Sequence, residues 1–330
     1  MSHELQNEHC IWYRETQALY LAACFVCSLV LAVFLAGLPL EAFLDRANYM
    51  VYARDSITAL QRYASRGPVA LLTNEPVWLL LNIALVQLFP PEWVLRIIIL
   101  LPAWVAAWII FKQDFRLFPL LLIIFLLPQV LKNHVIHLRQ GLAAALFLLG
   151  YYSTQRSVRN GLLLLTPFIH SSFFIVLPLY YLRPLLELLR FSSTIRVLLV
   201  ALVGIVIGLA GMLGAGMLGA RQAGRYALFV SGGSGLGFVY WSLLLCVLLS
   251  EGPQFIRRHI FEIAILFFYI GTYFLIPVGA RVMESVLILI LLAGVRLTCW
   301  RYFLFIAMHV FFFAFQYYQR LGQPWLGWGV

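Results

Sequence analysis

Arg139 heads the apolar run LRQGLAAALFLLGYY, and His170-Ser171-Ser172 interrupts a second run, TPFIHSSFFIVLPLYY. An ionisable group in such a setting costs about 2.5–3.5 kcal/mol to place in a bilayer, so it marks a site of function. The plainer readings are that Arg139 anchors at the membrane interface and that His170 is a hydrogen-bonded core residue. Other polar residues fall at the edges of apolar runs. They are Asp45, Tyr49, Glu75, Gln140, Arg225, Tyr226, Arg281 and Glu284. Several guanidiniums together with carboxylates and an imidazole suit group transfer from a diphosphate-linked substrate. Arginine stabilises charge developing on a departing diphosphate, and either Glu75 or His170 would take the proton of an attacking hydroxyl. Arg281 and Glu284, spaced i,i+3, could instead pair with each other on one helix face.

These residues need a scaffold, and the composition names its class. The chain has 330 residues, 63% of them hydrophobic and only 11% charged, against about 25% charged in ordinary soluble domains. Mean hydropathy is +0.93. Apolar runs near twenty residues recur from end to end, each long enough for a ~30 Å hydrocarbon core. They are continuous rather than alternating, which excludes a β-barrel. The expectation is an all-α, polytopic membrane protein of ten or eleven spans forming a single domain, 1–330.

The formal charge is +10, and Lys112 and Lys132 are the only lysines. Arginine grips phosphate through a planar fork. An anionic lipid-linked substrate fits, as do codon bias and attraction to acidic headgroups. No soluble basic domain presents these charges to nucleic acid. The scattered cysteines include Cys24 and Cys27 at CxxC spacing inside an apolar helix, where small filler is the better account.

Along the chain, residues 1–17 form a polar tail before a retained first span, Leu19–Leu38. Residues 39–67 carry charges and tyrosines among apolar residues at helical spacing, as an amphipathic helix on the membrane surface does. A second span begins near Val69 and holds Asn74-Glu75-Pro76, with Pro76 starting the regular helix and Glu75 near its positive end. A third span follows, about Trp93–Phe111, and a fourth, about Leu117–Leu131, carries Pro128. His134 and His137 lie at i,i+3 but lack further ligands, so no metal site is read there. Pro167, His170 and Pro178 crowd one run and predict a broken or re-entrant helix. Such an element puts 154–160 and 183–196 on one side, the cytoplasmic one, and Arg139, Arg225 and Arg281 on the other. Gly204xxxGly208 permits close helix packing. The loop 219–237 is glycine-rich and flexible, and its glycines do not match a dinucleotide fingerprint. No cofactor is implied.

The chain resembles the EpsG-like branch of the Wzy polysaccharide polymerases. The resemblance rests on the order and spacing of DRANYMVY (45–52), NEPVWLLL (74–81), LRQGLAAALFLLGYY (138–152), PFIHSSFFIVLPLYYL (167–182), GRYALF (224–229) and GARVMESV (279–286). It implies a bacterial inner-membrane enzyme, similar to the metal-independent glycosyltransferases built from membrane helices, with its active site facing the periplasm. Such an enzyme moves a growing glycan from undecaprenyl diphosphate to an incoming lipid-linked repeat unit, producing O-antigen, capsule or exopolysaccharide. Its implied partners are that lipid-linked oligosaccharide, membrane lipids, a chain-length regulator and a flippase. Arg139 and Arg281 would bind the diphosphate with Arg225 assisting, and Asp45 with Tyr49 would orient the acceptor sugar. A flippase or transporter, a polysaccharide acyltransferase and a polyprenyl-phosphate-sugar glycosyltransferase would want the same residue types.

Overall fold

Prolines punctuate this chain, and they set where its helices begin. The computed structural model describes residues 2–214, 235–275 and 278–329. Pro68, Pro76, Pro91, Pro128 and Pro253 each occupy the first turn of a helix, where a missing N–H removes no intrahelical bond. The helices are α1 (Ser2–Gly37), α2 (Arg46–Ser65), α3 (Pro68–Thr73), α4 (Pro76–Val86), α5 (Pro91–Phe111), α6 (Phe118–Leu126), α7 (Pro128–Val135) and α8 (Leu138–Tyr152). They continue as α9 (Arg156–Leu165), α10 (Phe173–Leu188), α11 (Ser193–Gly214), α12 (Leu236–Ser250), α13 (Pro253–Arg258), α14 (Ile260–Thr272), α15 (Val278–Gly294) and α16 (Cys299–Tyr318). Among the described residues the one strand-like feature is an isolated antiparallel bridge, Phe43 to Gly329. One continuous cluster of buried side chains runs from Cys24 on α1 to Trp328.

Among the described residues, four helices are long and apolar enough to cross a membrane: Gln17–Gly37 of α1, α5, Ser193–Gly211 of α11, and α16. The pair α6 and α7, bent by 62°, makes a fifth if taken as one span. The hydropathy pattern leads one to expect ten or eleven, and the difference has a physical cause. Several apolar runs are cut by Pro and polar residues into helices of six to eleven residues, too short alone for ~30 Å of hydrocarbon. Residues 2–17 are part of one helix with the first span. With no Pro or Gly between Ser2 and Ala36, the backbone continues helically through α1.

The segment between α1 and α5 departs further from expectation. These two helices are antiparallel: the Tyr20 hydroxyl donates to the Phe111 carbonyl (2.7 Å), and the Arg96 guanidinium donates to the Ala36 carbonyl. Residues 38–90 therefore leave and re-enter at the same end of the pair. The second span expected from Val69 is two short helices, α3 and α4. Its chain is broken at Asn74–Glu75, and α4 packs back against the amphipathic α2.

The break near His170 is present. After α9 comes a 3-10 turn, Thr166–Phe168, and α10 starts only at Phe173. The α9 helix runs back along α8. A Cβ on Gly150, near the C-terminal end of α8, would lie 3.0 Å from Leu163 and 3.2 Å from the Arg159 carbonyl. In α10 the Tyr181 hydroxyl donates to Asn160 (3.1 Å). Arg156, Arg159 and Arg183 thus gather at the Tyr152 end of α8, while the His170 turn lies at the Arg139 end. Gly204 of the GxxxG pair faces Phe268 of α14, whose ring would come within 2.9 Å of an added Cβ.

Candidate functional site

Glu75 is the strained residue around which the site is built. It is the N-cap of α4, with φ 61° and ψ 54°, a left-handed conformation that costs a non-glycine residue about 1–2 kcal/mol. Its carboxylate makes no cap bond. Instead Oε2 accepts an ion pair from the Arg139 guanidinium, and Oε1 accepts the Ser171 backbone N–H at 3.3 Å. One buried carboxylate thereby joins the start of α4, the first turn of α8 and the His170 turn. Departures of this kind gather at functional sites, where the surroundings hold them.

Arg139 has aromatic company as well. Its guanidinium lies 5.5 Å over the Tyr52 ring, and the Tyr49 phenol sits beside both its guanidinium and its backbone amide. Tyr49 and Tyr52 pack edge-on against buried Trp78 of α4, with centroids 5.7 and 6.2 Å away. Asp45 is exposed one turn before Tyr49, with φ 63°, and accepts a hydrogen bond from Asn48 (3.3 Å).

Beside Arg139, the buried Gln140 donates from Nε2 to the Arg281 carbonyl (3.0 Å) and to Ser285 Oγ (3.1 Å). These bonds hold α15 against α8. His170 Nδ1 lies 2.7 Å from Ser172 Oγ, and Ser172 Oγ lies 2.8 Å from Ser285 Oγ. Both Arg139 and Arg281 are close enough to act electrostatically on His170. Glu284 accepts an ion pair from Lys132 of α7 at 2.6 Å, and its backbone carbonyl accepts from Asn133 (3.3 Å).

Six of the ten residues singled out from the sequence therefore meet at one end of the bundle: Glu75, Arg139, Gln140, His170, Arg281 and Glu284. Tyr49 joins them through Arg139, and Asp45 stands one turn further out. Arg225 and Tyr226, with most of the 219–237 loop, lie outside the described residues. Lys132, Asn133, Ser172 and Ser285 complete the cluster without having been singled out for chemistry. Lys132 carried a signal, being one of two lysines and placed just after the apolar run Leu117–Leu131. Ser285 carried none beyond lying one residue from Glu284.

Lys132 and Arg139 are each paired with a carboxylate, and Lys132, Arg139 and Arg281 are all close enough to act electrostatically on His137. Among the described residues no three His, Cys, Asp or Glu side chains gather as metal ligands. His134 stacks on Phe125 with centroids 5.4 Å apart.

Comparisons with protein-family models, with curated proteins and with solved structures returned no match.

Proposed function

We propose that this protein is a polysaccharide polymerase of the bacterial inner membrane. It would transfer a growing glycan from undecaprenyl diphosphate to an incoming lipid-linked repeat unit at the periplasmic face. The single observation carrying this reading is the convergence of Arg139, Arg281 and His170, from three separate elements, at one end of the helical bundle. The concentration of other arginines at the opposite end of α8 fits a cytoplasmic placement of that end.

The reaction follows from the groups present. The acceptor sugar hydroxyl attacks the anomeric carbon of the donor glycan, and the bond from that carbon to the diphosphate oxygen breaks. Undecaprenyl diphosphate leaves with the bonding electron pair, and Arg139 and Arg281 stabilise the charge it acquires. The hydroxyl proton passes to His170. Glu75 is the weaker base because both its oxygens are engaged, one by Arg139 and one by the Ser171 N–H. Its role is to hold the Arg139 guanidinium until a diphosphate replaces it. Tyr49, Tyr52 and Asp45 line the approach from α2, where the acceptor sugar would enter.

The test is the surface-glycan ladder of a deletion strain complemented with variants. Arg139→Gln and Arg281→Gln should leave single repeat units on the carrier core while the proteins remain membrane-inserted. Arg→Lys should restore only short chains, because a point charge cannot reproduce the fork. The double variant Glu75→Gln/Arg139→Gln controls for a carboxylate left unpaired. Wild-type ladders from both single variants would end the proposal. Loss of all repeat units would indicate a flippase, and a full ladder of altered mobility an acyltransferase.

A further inference from the structure

The protons of the His170 network can be placed by counting donors. Four polar atoms lie in sequence: His170 Nδ1, Ser172 Oγ at 2.7 Å, Ser285 Oγ at 2.8 Å, and the Arg281 carbonyl oxygen at 2.7 Å. A carbonyl oxygen only accepts, and each serine hydroxyl has one proton to give. The Ser285 proton must therefore lie towards Arg281, or two oxygens would face each other at 2.7 Å with nothing between them. Ser285 then accepts from Ser172, whose single proton is thereby used. Ser172 in turn accepts from His170, so Nδ1 carries the hydrogen. The reverse arrangement would satisfy the longer contact from the Ser172 N–H to Nδ1 (3.4 Å) but leave the short Ser285–Arg281 contact without a proton. Gln140 fixes the terminus, donating to both Ser285 Oγ and the Arg281 carbonyl.

We propose that Ser172 and Ser285 are positioning residues that lock His170 as the Nδ1–H tautomer and leave Nε2 as the basic nitrogen. Among the described residues, both hydrogen-bond contacts of the His170 ring fall on Nδ1. The arrangement suits a base because it need not change when the base works. When Nε2 takes up a proton, the same three bonds persist, and the imidazolium leans through two hydroxyls on a backbone carbonyl. Which ring nitrogen is protonated is set by the bond the other nitrogen makes. This inference rests on the polymerase reading only in giving Nε2 a task; the tautomer stands on geometry alone.

The measurement is 15N nuclear magnetic resonance of protein labelled at histidine, in detergent or nanodiscs, at a pH where His170 is neutral. His170 should show a protonated Nδ1 and a bare Nε2. Its resonances are assigned by their loss in His170→Asn or, should that variant not fold, by their displacement in Ser172→Thr. Ser172→Ala and Ser285→Ala should both move His170 towards the Nε2–H form that imidazole prefers in water, whereas Ser172→Thr should not. In a transfer assay the two alanine variants should lower kcat by about 10- to 100-fold with KM little changed, less than the ~10²–10⁴-fold a base contributes. An Nε2–H histidine in the wild type, or a tautomer unmoved by both alanine substitutions, would overturn the assignment. A wild type with the Nδ1–H tautomer but no polymerase activity would remove the polymerase reading and uphold the relay.

Discussion

Arg46 and Arg139 are both guanidiniums withdrawn from solvent, yet their partners differ in kind. Arg46 is fully buried. Its Nε donates to the Val135 carbonyl (2.9 Å), one terminal nitrogen reaches the Leu38 and Pro39 carbonyls (3.5 and 3.3 Å), and Phe43 lies 4.2 Å beneath it. No ligand can replace these partners, so Arg46 splices the turn after α1 to the end of α7. Arg139 is held by a carboxylate, which under the proposed function a diphosphate displaces. Arg46→Ala should therefore act on stability, by ~3 kcal/mol for buried carbonyls left unpaired. The readout is a lower Tm of purified protein with KM for the lipid-linked donor unchanged in the fraction that folds. A changed KM at wild-type Tm would place Arg46 in the site instead.

At the scale of elements, the site depends on how closely α7 approaches α8. Gly141 permits that approach: a Cβ there would press on the Asn133 backbone, coming within 2.9 Å of its carbonyl carbon. Gly141→Ala should push α7 outward and carry Lys132 and Asn133 away from Glu284. Overpacking of this kind costs about 1–3 kcal/mol, and the expected result is a lower Tm together with short glycan chains. Gly161→Ala in α9 is the matching control, since nothing lies within 4 Å of an added Cβ there. It should leave chain length at wild type and raise stability by about 0.5–1 kcal/mol. Some of this was legible in the sequence. Pro76, Pro128 and Pro167 mark breaks because a ring without an N–H suits the first turn of a helix, although Pro102, Pro178 and Pro184 lie inside continuous helices. What could not be read is which broken pieces cross the bundle. That is fixed by pairings such as Tyr20 with Phe111 and Lys132 with Glu284, whose members lie 91 and 152 residues apart. The i,i+3 spacing of Arg281 and Glu284 suggested a local pair, yet the Glu284 carboxylate is met by Lys132 of a distant helix. Spacing within one helix says nothing of what a neighbouring helix brings to it.

At the scale of the whole molecule, the bundle has two unlike ends. One gathers Glu75, Arg139, Arg281 and the His170 turn beside α2 and α4. The other gathers Arg156, Arg159 and Arg183 around the Tyr152 end of α8. A chain that leaves and returns at one end through residues 38–90 brings Tyr49, Tyr52 and Glu75 to Arg139 there. Under the proposed function, this is the end that takes the lipid-linked diphosphate. The central claim is that two guanidiniums from distant parts of the chain grip one diphosphate. It is tested most directly by binding of a short isoprenyl diphosphate to the purified protein, with the matching monophosphate as reference. Arg139→Gln and Arg281→Gln should each weaken diphosphate binding by about 10- to 100-fold, as loss of a charge-assisted bond of ~1.5–3 kcal/mol requires, and should nearly abolish the preference over monophosphate. Binding that survives both substitutions unchanged, or that never distinguishes diphosphate from monophosphate, would contradict it.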